Sequence, residues 1–182
     1  MIGSDFKFLS KSDNLNVPKL SLNAGVIGAG IGGLALSILL RRNNCNVTVF
    51  ERSKYVSELG AGVQLSPNGI KILRSLGVEK EIVEVASSAE RIILKRGYDD
   101  KFIAQISLGS VANKRYGASF LQIHRSDLIS ILYKKACELG VNFWFGKAAI
   151  VKSTSNNSTE IYCDKKNFNF DVVVGADGVH SL

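Results

Sequence analysis

The sequence predicts an α/β fold built on a parallel sheet. Three observations predict it: a short apolar run at 24–27, an amphipathic helical pattern after it, and a second apolar run at 47–50. Strand, helix and strand in this order form a β-α-β unit, whose crossover is right-handed in nearly all proteins. Short apolar runs bounded by glycine are typical of strands buried on both faces of a parallel sheet.

The helix between the two runs begins near residue 31. Its apolar side chains recur at intervals of three and four residues and form one continuous face, made of Ile31, Leu34, Ala35, Ile38 and Leu39. Arg41 and Arg42 end the pattern, where the negative end of the helix dipole favours cations. The second strand therefore follows after a polar turn at 43–44.

Two more helices are predicted downstream. Residues 67–76 have helical spacing and are followed by Gly77, a residue suited to a helix C-cap. Apolar positions over 128–139 predict another helix, with Ser126 as its N-cap and Gly140 as its C-cap. The chain between Glu51 and the first of these helices is expected to form loops.

The remaining apolar runs predict strands. A hairpin is expected from residues 92–96 and 102–106, and four further runs follow at 141–145, 148–153, 159–163 and 168–174. Residues 1–22 alternate between polar and apolar types, so we expect a flexible N-terminal arm before an ordered domain over 23–182.

Composition excludes several classes of protein. Of 182 residues, 46% are hydrophobic and 21% are charged, which is typical of a globular protein rather than a disordered one. The longest nearly apolar stretch, residues 34–40, is far shorter than the ~20 residues of a membrane span. The N-terminus lacks the apolar core of a secretory signal. We therefore expect a cytoplasmic protein without stable membrane association.

Charge and cysteine content argue against two further kinds of site. The net charge is +7, but the basic residues are dispersed in pairs, so no nucleic-acid partner is predicted. The three cysteines, Cys45, Cys137 and Cys163, are far apart and form no CxxC motif. With only two histidines in the chain, we expect no metal site and interpret the cysteines as structural thiols of a reducing compartment.

The strongest motif lies between the first strand and its helix. Residues 28–33 fit the pattern G-x-G-x-x-G, and Glu51 ends the second strand 23 positions after Gly28. In this setting Gly28 permits a tight turn, Gly30 lets the backbone approach a pyrophosphate, and Gly33 allows close packing of helix and strand. The helix N-terminus attracts phosphate, and Glu51 can accept hydrogen bonds from ribose hydroxyls. The pattern therefore predicts a dinucleotide site, which NAD and FAD enzymes share.

Four motifs together carry a resemblance to a known family. They are Gly28–Gly33 with Glu51-Arg52, Gly60–Gly69, His124–Leu128 and Asp171–Ser181. In this order they resemble the N-terminal portion of the single-component FAD-dependent aromatic hydroxylases, the salicylate and para-hydroxybenzoate hydroxylase type. The resemblance extends over residues 24–182. It implies a Rossmann-like FAD-binding sheet with a β-meander, and a substrate-domain sheet that interleaves with it and begins within residues 88–120.

The resemblance also implies cofactor-binding residues. They are Gly28, Gly30, Gly33, Glu51, Arg52, Gly62, Gln64, Arg125 and Asp177. The three glycines of the first motif and Glu51 would hold the ADP half of FAD. Gly62 and Gln64 would lie near the isoalloxazine and ribityl chain, and Arg125 would approach phosphate or ribityl oxygens. Asp177 would help to form the floor shared by FAD and a transient nicotinamide. No dedicated catalytic acid or base is identified.

The implied activity is hydroxylation of a small aromatic compound with NADH or NADPH and O2, and the sequence leaves an oligomer possible. Members of the family continue well past this point, so the resemblance implies a truncated chain with uncoupled oxidase activity or none. Three alternatives remain open: an NAD(P)-dependent dehydrogenase, another FAD-dependent oxidoreductase such as an epoxidase or reductase, and an inactive flavin-binding fragment.

Overall fold

A four-stranded parallel sheet lies at the centre of the computed structural model, which describes residues 21–55, 61–153 and 158–181. In chain order, the elements are β1 (Asn23–Ile27), α1 (Ile31–Arg42), β2 (Asn46–Glu51), β3 (Gly62–Leu65), α2 (Pro67–Leu76), α3 (Glu79–Val85), β4 (Ser87–Ser88), β5 (Arg91–Lys95), β6 (Phe102–Ser107), α4 (Gly109–Tyr116), β7 (Leu121–His124), α5 (Arg125–Glu138), β8 (Asn142–Phe145), β9 (Ile150–Ser153), β10 (Thr159–Cys163), β11 (Lys166–Phe170), β12 (Val172–Gly175) and a 3-10 helix (Gly178–His180). The strand order of the parallel sheet is β12-β1-β2-β8, so the predicted β-α-β unit is confirmed.

The two faces of this sheet carry different layers. Successive side chains of a strand point to opposite faces, and along β2 Val49 joins a core formed with the helices whereas Phe50 joins a core formed with the meander. Leu34 and Ile38 of α1 are fully buried in the helical core, as the spacing predicts. Leu128 and Leu132 of α5 are buried in the same core. The sheet is therefore the middle of three layers.

The meander consists of the antiparallel strands β9, β10 and β11. Its tight turn between β10 and β11 contains Asp164 and Lys165, both with positive φ. Phe168 and Phe170 of β11 contact Phe50 edge to face, with ring centroids 5.2 and 5.9 Å apart. These contacts attach the meander to β2, and the predicted β-meander is confirmed.

One predicted strand is wrong in its extent. Residues 168–174 were expected to form a single run, but the chain divides at Asp171 into β11 of the meander and β12 of the parallel sheet. The backbone N–H of Asp171 donates to the carbonyl of Asn23 (2.9 Å), and its carboxylate accepts from the N–H of Asn23 (2.7 Å). These two bonds fix the residue at which the chain changes sheets.

The region after Glu51 is more ordered than expected. Residues 62–65 form β3 rather than a loop, and β3 pairs with β7 in the small sheet β3-β7-β4. Strands of two to four residues derive their stability from partners distant in sequence, so local patterning does not reveal such strands. The sequence also failed to predict the helices α3 and α4.

The ends of α5 also differ from the prediction. The helix begins at Arg125 with His124 as its N-cap, whereas Ser126 was expected as the cap. Ser126 is instead the second residue of the helix, and its hydroxyl lies 2.9 Å from the Nδ1 atom of His124. At the other end the cap is Leu139, and Gly140 follows in a left-handed conformation with φ +77°.

The hairpin of β5 and β6 is confirmed as a pair of strands, but it contributes nothing to either core. Every residue of both strands is exposed. Ile93 and Phe102 have 44% and 62% of their surface accessible, respectively. The hairpin therefore presents apolar side chains on both of its faces.

The predicted N-terminal arm falls largely outside the described residues, which begin at residue 21. Leu22 packs against the helical core, and its carbonyl accepts a hydrogen bond from the N–H of Asn46 (2.7 Å). Within the residues that are described, no helix is both long and apolar enough to cross a bilayer.

Arg41 joins the C-terminal ends of α1 and α5. Its guanidinium donates to the carbonyls of Leu139 (2.8 Å) and Cys45 (2.9 Å), with a longer contact to the side chain of Asn46 (3.3 Å). Carbonyls at helix ends lack intrahelical partners. Arg41 therefore donates to a carbonyl after α1 and to one at the end of α5, although α1 and α5 are about a hundred residues apart in sequence.

We expect Arg41→Met to lower the free energy of unfolding by about 1–2 kcal/mol, since charged hydrogen bonds to partly buried carbonyls are lost. Urea denaturation should show a lower midpoint with an unchanged slope. Lys80→Met, an equivalent loss of charge at an exposed position of α3, is the control. A loss of stability no larger than that of the control would contradict this role of Arg41.

A second prediction concerns Arg74 of α2 and Glu79 of α3. The guanidinium makes two hydrogen bonds to the carboxylate and donates a third to the carbonyl of Gly117. The hydrogen bonds from Arg74 hold the pKa of Glu79 below its usual value. A carboxyl group with a lowered folded-state pKa stabilises the fold above its unfolded pKa and loses that effect as the pH falls through the folded value.

We therefore expect Glu79→Gln to cost less than about 1 kcal/mol near pH 7, because the pair is largely solvated. The difference from the wild type should vanish as the pH falls from about 5 towards 2, measured by urea denaturation. Glu84→Gln, the same substitution at an exposed position of α3, is the matched control. A cost that persists at the acid end would contradict the assignment.

Candidate functional site

Two glycines of the turn between β1 and α1 are needed for packing. Gly28 has φ +105°, and a Cβ there would lie 2.4 Å from the carbonyl oxygen of Ala176. A Cβ on Gly33 would lie 2.0 Å from the carbonyl oxygen of Gly28. Neither position can accept a side chain without moving backbone, so these glycines let β1, α1 and β12 approach each other closely.

The other two glycines of the turn leave space. A Cβ built on Gly30 or Gly32 would have no atom within 4 Å. Gly30 is the N-cap of α1, and it offers no side-chain cap to the helix. The first N–H groups of the helix lack intrahelical partners and lie at the positive end of its dipole. The turn therefore presents open, positively polarised backbone, which is suited to an anion.

A cavity of about 640 Å³ lies in front of this turn. Its size is within the range of about 300–1,000 Å³ that is usual for small-molecule sites. It is found at the carboxyl ends of β1, β2 and β12, the edge at which open α/β sheets bind ligands. Its lining includes Gly28, Gly30, Gly32, Phe50, Glu51, Arg52, Ser53, Arg125, Ala148, Ala149, Asp177 and Val179.

Glu51 ends β2 with its carboxylate turned towards the glycine-rich turn. One oxygen accepts a hydrogen bond from the N–H of Ala29 (2.8 Å), and the other accepts from the N–H of Ser53 (2.8 Å). An ionised carboxylate has about four acceptor sites, so both oxygens can accept further bonds from a ligand. The half-buried acid is thus positioned for ribose hydroxyls.

Two arginines contribute positive charge to the cavity. Arg52 follows Glu51, and Arg125 is the first residue of α5. The backbone N–H of Arg125 donates to the carbonyl of Ala61 (2.9 Å), which connects the cavity wall to the start of β3. Asp177, which also lines the cavity, is the N-cap of the 3-10 helix that follows β12. Together with the α1 N-terminus, the arginines favour an anionic ligand.

The structure brings together six of the nine residues predicted for the cofactor, namely Gly28, Gly30, Glu51, Arg52, Arg125 and Asp177. Gly33 lies behind the turn, where it has a packing role. Gly62 and Gln64 are on β3 and are not part of the cavity lining, although Gly62 pairs with His124, next to Arg125. Their roles towards a cofactor stay predictions.

The wall formed by Ala148 and Ala149 was not predicted from the sequence. These small residues follow β8, and they reach the cavity because β8 pairs with β2 in parallel. The local pattern predicts them as the start of a strand over 148–153, whereas β9 begins at Ile150 and both alanines lie before it. Only the predicted strand before them, together with its neighbour in the sheet, could have located them.

No group of three His, Cys, Asp or Glu side chains among the described residues is placed to hold a metal ion. The cavity thus offers glycine backbone, the N-terminus of α1, two arginines and two carboxylates.

Comparison with known proteins agrees with this geometry. The profile of the family described as FAD binding domain matches residues 21–182. The chain is 35% identical over 165 residues to 3-amino-4-hydroxybenzoate 2-monooxygenase of Streptomyces cremeus, covering 88% of this chain and 41% of the relative. It is 36% identical over 157 residues to 6-hydroxynicotinate 3-monooxygenase of Pseudomonas fluorescens, covering 86% and 40%.

The fold is shared with solved structures. A variant of HpxO from Klebsiella pneumoniae, complexed with FAD, superimposes with a TM-score of 0.76 at 24% identity, covering 88% of this chain and 40% of that one. The chain thus spans about two fifths of the length of the relatives it matches. The chain belongs to the FAD binding domain family, and its resemblance to the FAD-dependent aromatic hydroxylases is confirmed.

Proposed function

We propose that the cavity holds the ADP half of FAD. The observation that carries this proposal is the empty space at Gly30 and Gly32, next to the positive end of α1. The other two glycines of the motif, Gly28 and Gly33, cannot accept a side chain without moving backbone. A side chain at Gly30 would occupy the space that a pyrophosphate needs. The residues present therefore fit the cofactor of the family.

Each side chain of the cavity has a role in this arrangement. Glu51 accepts hydrogen bonds from the ribose hydroxyls through acceptor sites that Ala29 and Ser53 leave unused. Arg52 and Arg125 offset the negative charge of the phosphates. Because an extra phosphate on the ribose would meet the Glu51 carboxylate, the site favours a nucleotide with both ribose hydroxyls free.

The remaining predicted residues are assigned to the flavin end. We place Asp177 beside the region in which flavin and nicotinamide meet. It belongs to the lining that follows β12, whereas Arg52 belongs to the lining that follows β2. Gly62 and Gln64 are proposed to approach the ribityl chain and the ring from β3. The residue before this strand, Ala61, accepts a hydrogen bond from the N–H of Arg125.

The whole protein is proposed to be an FAD-dependent monooxygenase that hydroxylates a small aromatic compound with NAD(P)H and O2. The relatives support this activity, since their names describe monooxygenases of hydroxybenzoate and hydroxynicotinate compounds. When bound, FAD supplies the redox chemistry with nicotinamide and oxygen. The part of this chain is to bind the cofactor, to orient it and to shield it from water on the side of the parallel sheet.

Residues 88–120 are proposed to begin the substrate domain. A two-stranded hairpin alone is at best marginally stable in water, yet β5 and β6 expose apolar side chains on both faces. Ile93, Ile103 and Ile106 are each more than two fifths exposed. Such a hairpin requires a further sheet or helix, which the substrate-binding part of this family of enzymes would provide.

The FAD site is tested with Gly30→Ala. The variant should fold normally, because the new methyl group meets no protein atom within 4 Å. It should bind FAD at least about tenfold more weakly than the wild type, because the pyrophosphate loses hydrogen bonds of the helix N-terminus. FAD fluorescence titration measures the affinity, and thermal unfolding without FAD measures the fold.

Gly69→Ala is the matched control for this substitution. Gly69 lies in α2, a Cβ there also meets nothing within 4 Å, and the residue is not in the cavity lining. Its FAD affinity should equal that of the wild type. Equal affinities for all three proteins would place the cofactor elsewhere and would refute the proposed site.

The proposed reaction is tested by turnover. The whole protein is loaded with FAD and supplied with NADH or NADPH and a panel of hydroxybenzoates, aminohydroxybenzoates and hydroxynicotinates. We expect at least one compound to yield a product heavier by one oxygen atom, with 18O incorporated from 18O2 in mass spectrometry. Oxygen consumption that yields only hydrogen peroxide with every compound would contradict hydroxylation by the whole protein while leaving FAD binding intact.

A further inference from the structure

We infer that Glu51 is a positioning residue as well as a ligand: its carboxylate holds the glycine-rich turn and the loop after β2 in the geometry that the nucleotide requires, before any nucleotide binds. The inference deepens the proposed function and relies on it for the identity of the ligand. The two hydrogen bonds that carry it join the Glu51 carboxylate to backbone N–H groups of the protein itself.

The turn has few other means of support. Gly28 is held by its N–H, which donates to the carbonyl of Phe50 (2.8 Å), and α1 begins only at Ile31. Between them, no side chain caps the helix at Gly30. The N–H of Ala29 donates to the Glu51 carboxylate, which thus anchors the middle of the turn. A side chain from β2 supplies an anchor that the turn itself lacks.

The second oxygen of the carboxylate anchors the loop after β2, a second wall of the cavity. It accepts from the N–H of Ser53, which lies in the loop that lines the cavity after β2. The same loop is held from β8 by Gly146, whose N–H donates to the carbonyls of Glu51 (2.9 Å) and Ser53 (3.0 Å). The loop is therefore fixed from two sides, one of which is the Glu51 side chain.

These contacts join two walls of the cavity through one side chain. The turn and the loop both line the cavity, and each is bonded to a different oxygen of one carboxylate. Hydrogen bonds to an ionised acceptor are about twice as strong as those between neutral groups. A site that is ordered in advance binds more tightly, because the ligand does not bear the entropy cost of ordering it.

The positioning role is tested first without ligand. In Glu51→Gln, one of the two N–H groups faces an NH2 group instead of an acceptor. We expect the amide hydrogen of Ala29 or of Ser53 to exchange at least about tenfold faster than in the wild type, by NMR. The amide of Val49, within the buried part of β2, should be unaffected. Glu84→Gln, on the exposed face of α3, is the matched control.

Two outcomes of this measurement would overturn the inference. If neither Ala29 nor Ser53 exchanges faster, the carboxylate does not hold the two walls. If Val49 accelerates by the same factor, the substitution destabilises the domain as a whole, and no specific positioning role exists. Both outcomes are independent of whether the protein binds a nucleotide.

The second test separates positioning from ribose binding. Glu51→Asp keeps the negative charge but is one methylene shorter, so we expect it to lose at least one of the two hydrogen bonds to the walls. Its affinity is compared with that of the wild type for ADP and for 2′,3′-dideoxy-ADP, which lacks both ribose hydroxyls, with Glu84→Asp as control. We expect Glu51→Asp to weaken both ligands, and the dideoxy ligand by about fivefold or more.

Unchanged affinity for the dideoxy ligand, together with weaker ADP binding, would show that Glu51 acts on the ribose alone and would overturn the inference. Should the wild type bind neither nucleotide, the proposed function fails, and the exchange experiment still decides whether Glu51 holds the walls.

Discussion

The parallel alignment of β1 between β2 and β12 is the constraint on which the site depends. The N–H of Gly28 bonds to the carbonyl of Phe50, and the N–H of Ala176 bonds to the carbonyl of Ile27 (2.7 Å). These bonds end three strands at the same level, although the segments are far apart in sequence. Apart from Arg125, the cavity lining extends from the ends of these strands or of β8, which pairs with β2, so the site exists only when the sheet is correctly paired.

The glycines of the first turn divide this constraint into two requirements. Gly28 and Gly33 allow strand and helix to touch, whereas Gly30 and Gly32 keep protein atoms out of the space in front of the helix. The same motif thus satisfies a packing requirement and an access requirement at different positions. A substitution at a packing glycine and one at an access glycine consequently differ in kind: the first acts on the fold, and the second acts on the ligand.

Local patterns predicted the elements whose signals are local. The β-α-β unit, the helix over 67–76 and the position of Glu51 follow from periodicity and spacing within about fifty residues. The division of 168–174 at Asp171 and the sheet β3-β7-β4 follow from pairings with distant segments, such as that of Asp171 with Asn23. Likewise, Ala148 and Ala149 reach the cavity only because β8 lies beside β2.

The two parts of the chain differ in what stabilises them. The nucleotide-binding part contains its own core, in which Leu34, Ile38 and Leu132 are fully buried, and its site is held by hydrogen bonds from its own backbone. The β5–β6 hairpin has apolar side chains on both faces and buries none of its residues. Under the proposed function, cofactor affinity is therefore a property of the sheet and of Glu51. Substrate selection depends instead on whatever packs against the hairpin, so the two can vary independently.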